Sequence, residues 1–112
     1  MTGFRRGDVV LVSFVFANDS GSKTRPALVV SSASYNRGRR EAIVAAITSN
    51  LKRRLAGDHV VKNWQDAGLL FPSVVTGILR TIERGMVQRR LGSLSIPDLE
   101  AVETELRSSL GL

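Results

Sequence analysis

Arg25 and the pair Thr48-Ser49 are the residues whose types could act together on a phosphate group. Arg25 stands in the stretch Thr24-Arg25-Pro26-Ala27-Leu28-Val29-Val30-Ser31. Pro26 has a ring-fixed φ and no N–H, so it suits a strand entrance or edge. The residue before a proline is pushed out of the helical region, so Arg25 is expected to be extended. Ala27 to Val30 reads as a buried strand. A guanidinium at its mouth can bind phosphate oxygens and stabilise charge that grows on them. The Thr48 hydroxyl, at the end of another strand candidate, can donate to the same group. Such a pair is what metal-free phosphodiester cleavage by an internal 2′-hydroxyl requires, a reaction open to RNA and closed to DNA. An arginine at a loop end is otherwise an ordinary solvated charge, so the reading depends on the two strand ends meeting on one rim. The run Lys52-Arg53-Arg54 is then either a set of phosphate contacts or a solvated loop.

Other chemistries find little support. The 112 residues contain no cysteine and one histidine, which argues against disulfides and zinc sites; no metal or cofactor is expected. No glycine-rich phosphate loop is present. His59 lies in a strand-like segment and reads as a structural histidine. The few aromatic residues are not interleaved with the basic runs, which gives poor support to a base-stacking platform. The net charge is +6. Residues 95–112 hold Asp98, Glu100, Glu103 and Glu105 against Arg107, a balance of −3, which leaves +9 on residues 1–94. A basic body rich in arginine implies an anionic partner. Arg5-Arg6 ahead of the apolar run Val9 to Ala17 resembles a signal sequence, with Val15-Phe16-Ala17 as a cleavage site, but Gly7-Asp8 interrupts it. No run reaches the length of a membrane helix, and a cytoplasmic protein is expected.

The elements that must position Arg25 and Thr48 are short. Val9 to Phe16 alternates two faces, both mostly apolar, and predicts a strand buried on both sides or bent within a small barrel. Asn18 to Lys23 is a loop. Ser31 to Asn36 has room for one helical turn, and Arg37 to Arg40 is a basic turn. Glu41 to Ile47 predicts a strand with Ile43, Ala45 and Ile47 on one face. His59 to Val61 is a short strand, and Asn63 to Gly68 a loop anchored by Trp64. Ser73 to Thr76, Ile78 to Glu83 and Met86 to Leu91 read as strands, with Gly77 marking a bulge or a close backbone approach. The end is helical. Ser95 caps it, Pro97 sits in the first turn, and Asp98 acts as a capping-box-like partner. Leu99, Val102, Leu106 and Leu110 make one apolar stripe, and Gly111 closes the helix. Many short strands and one terminal helix predict a single domain over residues 1–112, a small β-barrel with a helix packed on it.

Five segments in order resemble the MazF/PemK toxin family. They are Arg6-Gly7-Asp8-Val9-Val10-Leu11-Val12, Arg25-Pro26-Ala27-Leu28-Val29-Val30-Ser31 with Tyr35-Asn36 after it, Ile47-Thr48-Ser49, Pro72-Ser73-Val74-Val75, and Arg80-Thr81. The resemblance implies an SH3-like (MazF/PemK/CcdB-like) barrel, a homodimer, and a metal-independent, sequence-selective endoribonuclease held in check by an acidic antitoxin. Carried over, Arg25 is the catalytic arginine and Thr48 its hydroxyl partner. RNA binding is expected at Thr24, Ser49, Lys52, Arg53 and Arg80. The loop before Arg25 is shorter than in many members. Thr76-Gly77-Ile78-Leu79 stands where many carry an acid or amide. The general base is therefore open among Asp19, Glu83 and His59. A toxin-like barrel that binds a protein target such as gyrase, or an inactive nucleic-acid-binding module, is the alternative.

Overall fold

A computed structural model of the chain describes residues 4–15, 22–53 and 55–112. Phe16, Asp19, the rest of the loop up to Gly21, the cleavage-site residue Ala17 and Arg54 lie outside the described residues. In chain order the elements are β1 (Asp8–Val15), β2 (Ser22–Val29), α1 (Ala33–Asn36), β3 (Glu41–Thr48), β4 (His59–Val60), β5 (Val74–Glu83), β6 (Val87–Ser93) and α2 (Ile96–Leu110). All strand pairs are antiparallel, in the order β4-β5-β3-β2-β1-β6. A single 3₁₀ turn, Arg84–Met86, links β5 to β6. In a flat sheet those strands would stand four spacings apart, about 19 Å. Four Cα–Cα steps reach at most about 15 Å. The sheet must therefore curl. It does so without closing, because β4 and β6 do not pair. The result is the mainly β, barrel-like fold with a C-terminal helix that the strand pattern predicts.

Curling buries β1 from both sides: Val9, Val10 and Val12 are wholly inaccessible. One cluster joins Val9, Leu28, Ala45, Ile47 and Val75 to Val102 of α2. The other, on the opposite face, joins Val10, Val12, Ala27, Val29, Val44 and Ile82, with Phe4 and Phe14 against it. Trp64 packs on the first cluster, as an anchor should. The segments predicted on either side of Gly77 form one continuous strand, β5, with a register shift where it passes Ala45 and Ile47. Gly77 lies there in close approach to the Gly57 backbone, with an added Cβ in ordinary contact at 3.4 Å from the Gly57 Cα.

Helix α2 follows its signals. The Ser95 side chain accepts from the Asp98 N–H, Pro97 sits in the first turn, and Gly111 takes a φ of 73°. Two details differ from the sequence reading. Leu110 is exposed, because the helix runs past the edge of the core by its last turn. Asp98 partners Ser95, as expected, but does more than cap the helix. It is buried, and accepts from the backbone N–H groups of Lys62 (3.0 Å) and Asn63 (2.9 Å) and from His59 Nε2 (2.8 Å). No helix among the described residues is long and apolar enough to cross a membrane.

Candidate active site

The β2–β3 ladder begins at Val29–Val44 and ends at Ala27–Ala46. Carried two residues further, the same register sets Arg25 across from Thr48, and residues directly opposite share a face. That face is the one lined by Ala27, Val29 and Val44. Arg80 belongs to it too, since it pairs with Val44. Where the ladder stops, a groove of about 1000 Å³ opens, and its polar lining includes Thr24, Arg25, Thr48, Ser49, Arg80 and Arg89. Pro26 sits beside Arg25 at this point. It has no N–H to offer a ladder.

Each polar group is held differently. Arg25 is exposed, and its Nη1 donates to the neighbouring Thr24 carbonyl at 3.3 Å. Thr48 Oγ1 accepts from the Asn50 N–H at 3.1 Å, so its own proton is left to donate to a ligand. Asn50 Oδ1 in turn accepts from the Lys52 N–H at 3.1 Å. These two successive side-chain turns fix the chain just after β3. The Arg80 guanidinium lies over the Phe14 ring, 4.7 Å from its centroid. Leu70, Phe71 and Ile78 form an exposed apolar part of the lining.

Of the expected site residues, the structure brings Thr24, Arg25, Thr48, Ser49 and Arg80 together. It does not bring Lys52 and Arg53 into the lining. Lys52 is exposed beyond the turn. Arg53 is engaged inside the fold, with Nε 2.9 Å from Asp58 Oδ2. Asp58 also accepts from the N–H groups of Leu55 (3.2 Å) and Gly77 (3.3 Å), so this ion pair ties the loop to the β5 bulge.

The sequence reading passed over Arg89 and the groove aromatics. Phe14 and Phe71 are remote from the basic runs along the chain, yet they share a groove with Arg25, Arg80 and Arg89. Alternation along β6 was the available signal for Arg89. It could not reveal the groove, because β6 gains its partner from β1, about eighty positions earlier.

The named candidates for a base do not line the groove. His59 is bound to Asp98, and Glu83 is exposed opposite Arg40 at 3.8 Å. Asp19 lies outside the described residues. Burial alone would raise the Asp98 carboxyl. The Lys62 and Asn63 N–H groups, His59 and the Ser95 hydroxyl outweigh that and hold it below its ordinary value.

Residues 5–110 match the family described as PemK-like, MazF-like toxin of type II toxin–antitoxin system. Comparison with curated proteins gives no match. Among solved structures, the chain is similar to a mycobacterial endoribonuclease in complex with its cognate antitoxin. The identity is 21%, with 97% of this chain and 96% of that one covered and a TM-score of 0.78. MazF in the MazE–MazF complex of Deinococcus radiodurans is 20% identical over 100% and 99% of the two chains, also with a TM-score of 0.78. The Mycobacterium tuberculosis toxin MazF-mt6 is 25% identical over 94% and 97%, with a TM-score of 0.74.

Proposed function

The chain belongs to the PemK-like, MazF-like toxins of type II toxin–antitoxin systems, and from that premise we propose that it is an endoribonuclease that cleaves single-stranded RNA without a metal ion. The observation that carries this reading is that Arg25 and Thr48, with Arg80 and Arg89, line one groove that opens where the β2–β3 ladder ends.

In this reaction the 2′-oxygen attacks the adjacent phosphorus and gives up its proton. The bond from phosphorus to the 5′-oxygen breaks, and that oxygen takes up a proton. The products are a 2′,3′-cyclic phosphate and a 5′-hydroxyl. Charge grows on the phosphoryl oxygens in the transition state. Arg25 stabilises it by charge-assisted hydrogen bonds. Thr48, its oxygen already occupied by the Asn50 N–H, donates its proton to the same oxygens. Thr24 and Ser49 hold the phosphate, and Arg80 steers the strand into the groove. Exposed Phe71 offers a ring on which a base can stack. The groove selects a short sequence in cellular mRNA. The protein acts in the cytoplasm as a homodimer, and an acidic antitoxin neutralises it by covering the basic groove.

The test is incubation of the purified protein with RNA in EDTA, with sequencing of the 5′-hydroxyl ends. Cleavage that persists in EDTA and vanishes in Arg25→Ala supports the reading. Absence of cleavage together with capture of a protein target such as gyrase would replace it with the binding-toxin alternative.

A further inference from the structure

We propose that the RNA path does not end at the groove but turns around β6 into a second cleft, with Arg89 as the residue that joins the two; this rests on the RNA-cleaving reading above. The second cleft encloses about 520 Å³ and is lined by Phe4, Arg84, Val87, Gln88, Arg89 and Arg90. Arg89 is the one residue that lines both spaces.

Three observations fit a nucleic-acid strand. The first is charge. The lining contains three arginines and no carboxylate. Arg90 is partly offset by Asp8, whose Oδ1 is 3.2 Å from its Nε, but Asp8 itself is almost wholly buried. The positive potential of Arg89 therefore remains facing the cleft.

The second is commitment. Arg84 donates to the Asn36 carbonyl at 2.6 Å, and Arg90 donates to the Ser93 hydroxyl at 2.7 Å, so the fold holds both in place. Arg89 is exposed, and its side chain has no hydrogen bond or ion pair among the described residues. A guanidinium with five free donors between two grooves suits bidentate contact with a passing phosphate. The third is the surface beside these charges: Phe4 and Val87 supply apolar area for a base while the arginines hold the backbone. Continuity with the groove favours RNA over an acidic protein as the occupant.

The test uses one cleavage sequence in three RNAs: a short one, and two extended by about six nucleotides on the 5′ or the 3′ side. Both cleavage and the binding of uncleavable 2′-O-methyl versions are measured. In the wild type, one extended RNA shows a lower KM and tighter binding than the short one, by about tenfold. Arg89→Glu and Gln88→Glu reduce that advantage towards unity, and Arg89→Gln lowers the salt slope for the extended RNA by about 0.7. Unchanged thermal unfolding of Arg89→Gln shows that the fold is intact. Equal behaviour of all three RNAs with the wild type overturns the proposal. So does an Arg89→Glu defect of the same factor on short and extended RNAs, since Arg89 would then serve the groove alone. Loss of antitoxin binding with the length advantage intact would reassign the cleft to an acidic protein. If no RNA is cleaved but uncleavable RNA still binds with the length advantage, the nuclease reading fails while the path stands.

Discussion

Polar residues on the two sides of the β-sheet fold live under opposite conditions. In the anchored set, Arg6, Asp8 and Asp98 have partners within the chain. Arg6 reaches the Val30 carbonyl and donates from Nε and Nη2 to Glu103 at 3.0 and 2.8 Å. Asp8 accepts from the Arg5 N–H, Arg90 and Ser93. Asn36 is buried, bonded to Ser31 at 2.5 Å and to the Phe4 carbonyl at 3.1 Å. Asp98 accepts from four groups. In the groove, among the described residues, the Arg25 side chain bonds only to its neighbour's carbonyl, the Arg80 side chain rests on a ring, and the Arg89 side chain bonds to nothing. The difference separates two uses of charge. A buried charge must be compensated inside the fold, or burial is too costly. An exposed cation without a partner adds little to stability and stays available to a ligand.

Substitutions on each side should therefore fail in different ways. The largest effect is expected from Arg25→Ala: kcat on RNA falls by about 10²–10³-fold, while unfolding in urea shifts by less than about 0.5 kcal/mol. A marked loss of stability instead would mean that Arg25 is an anchor, and the contrast would collapse. Asp98→Ala should do the reverse. It strands the Lys62 and Asn63 N–H groups and the His59 ring, at a cost of about 2–4 kcal/mol by denaturant unfolding. The fraction that stays folded should keep its kcat.

Thr48→Val keeps shape and removes the donated proton; kcat should fall about tenfold, with KM little changed. The pH dependence of stability isolates the anchored side. Asp98 has a lowered value in the folded state, so its contribution is complete above the unfolded value of about 3.9 and is lost as pH falls through the lower folded value. Wild type should therefore lose stability on acidification below about pH 4 more steeply than Asp98→Asn, as read by thermal unfolding. The smallest effect belongs to Lys52→Gln. Off the groove and exposed, Lys52 should leave stability within about 0.5 kcal/mol and the salt dependence of RNA binding unaltered.

The family segments divide along the same line. Arg6-Gly7-Asp8, Ser31 and Asn36 are read in the sequence with the same ease as Arg25-Pro26 and Thr48-Ser49. In the fold the first set is bound up in anchoring and the second lines the groove. Gly7 shows why its place in the motif is needed: its φ is 96°, and a Cβ there would meet Leu99 of α2 at 3.1 Å. A segment pattern reports that residues recur together. It does not report which of them face solvent.

Arg25 and Thr48 became the leading candidates only through the family segments, while strand periods and the Ser95 and Gly111 caps came from the sequence alone. The periods and caps depend on neighbours a few positions away, which the chain states directly. Tertiary structure alone decided that Arg25 and Thr48 line one groove, that Arg53 belongs to Asp58, that Asp98 is a buried anchor, and that Phe14, Phe71 and Arg89 share that groove. Each of those depends on pairing between distant strands and on the curl imposed by the short β5–β6 link. Local pattern contains no information on either, because period two tells which residues share a face but not which face meets which partner.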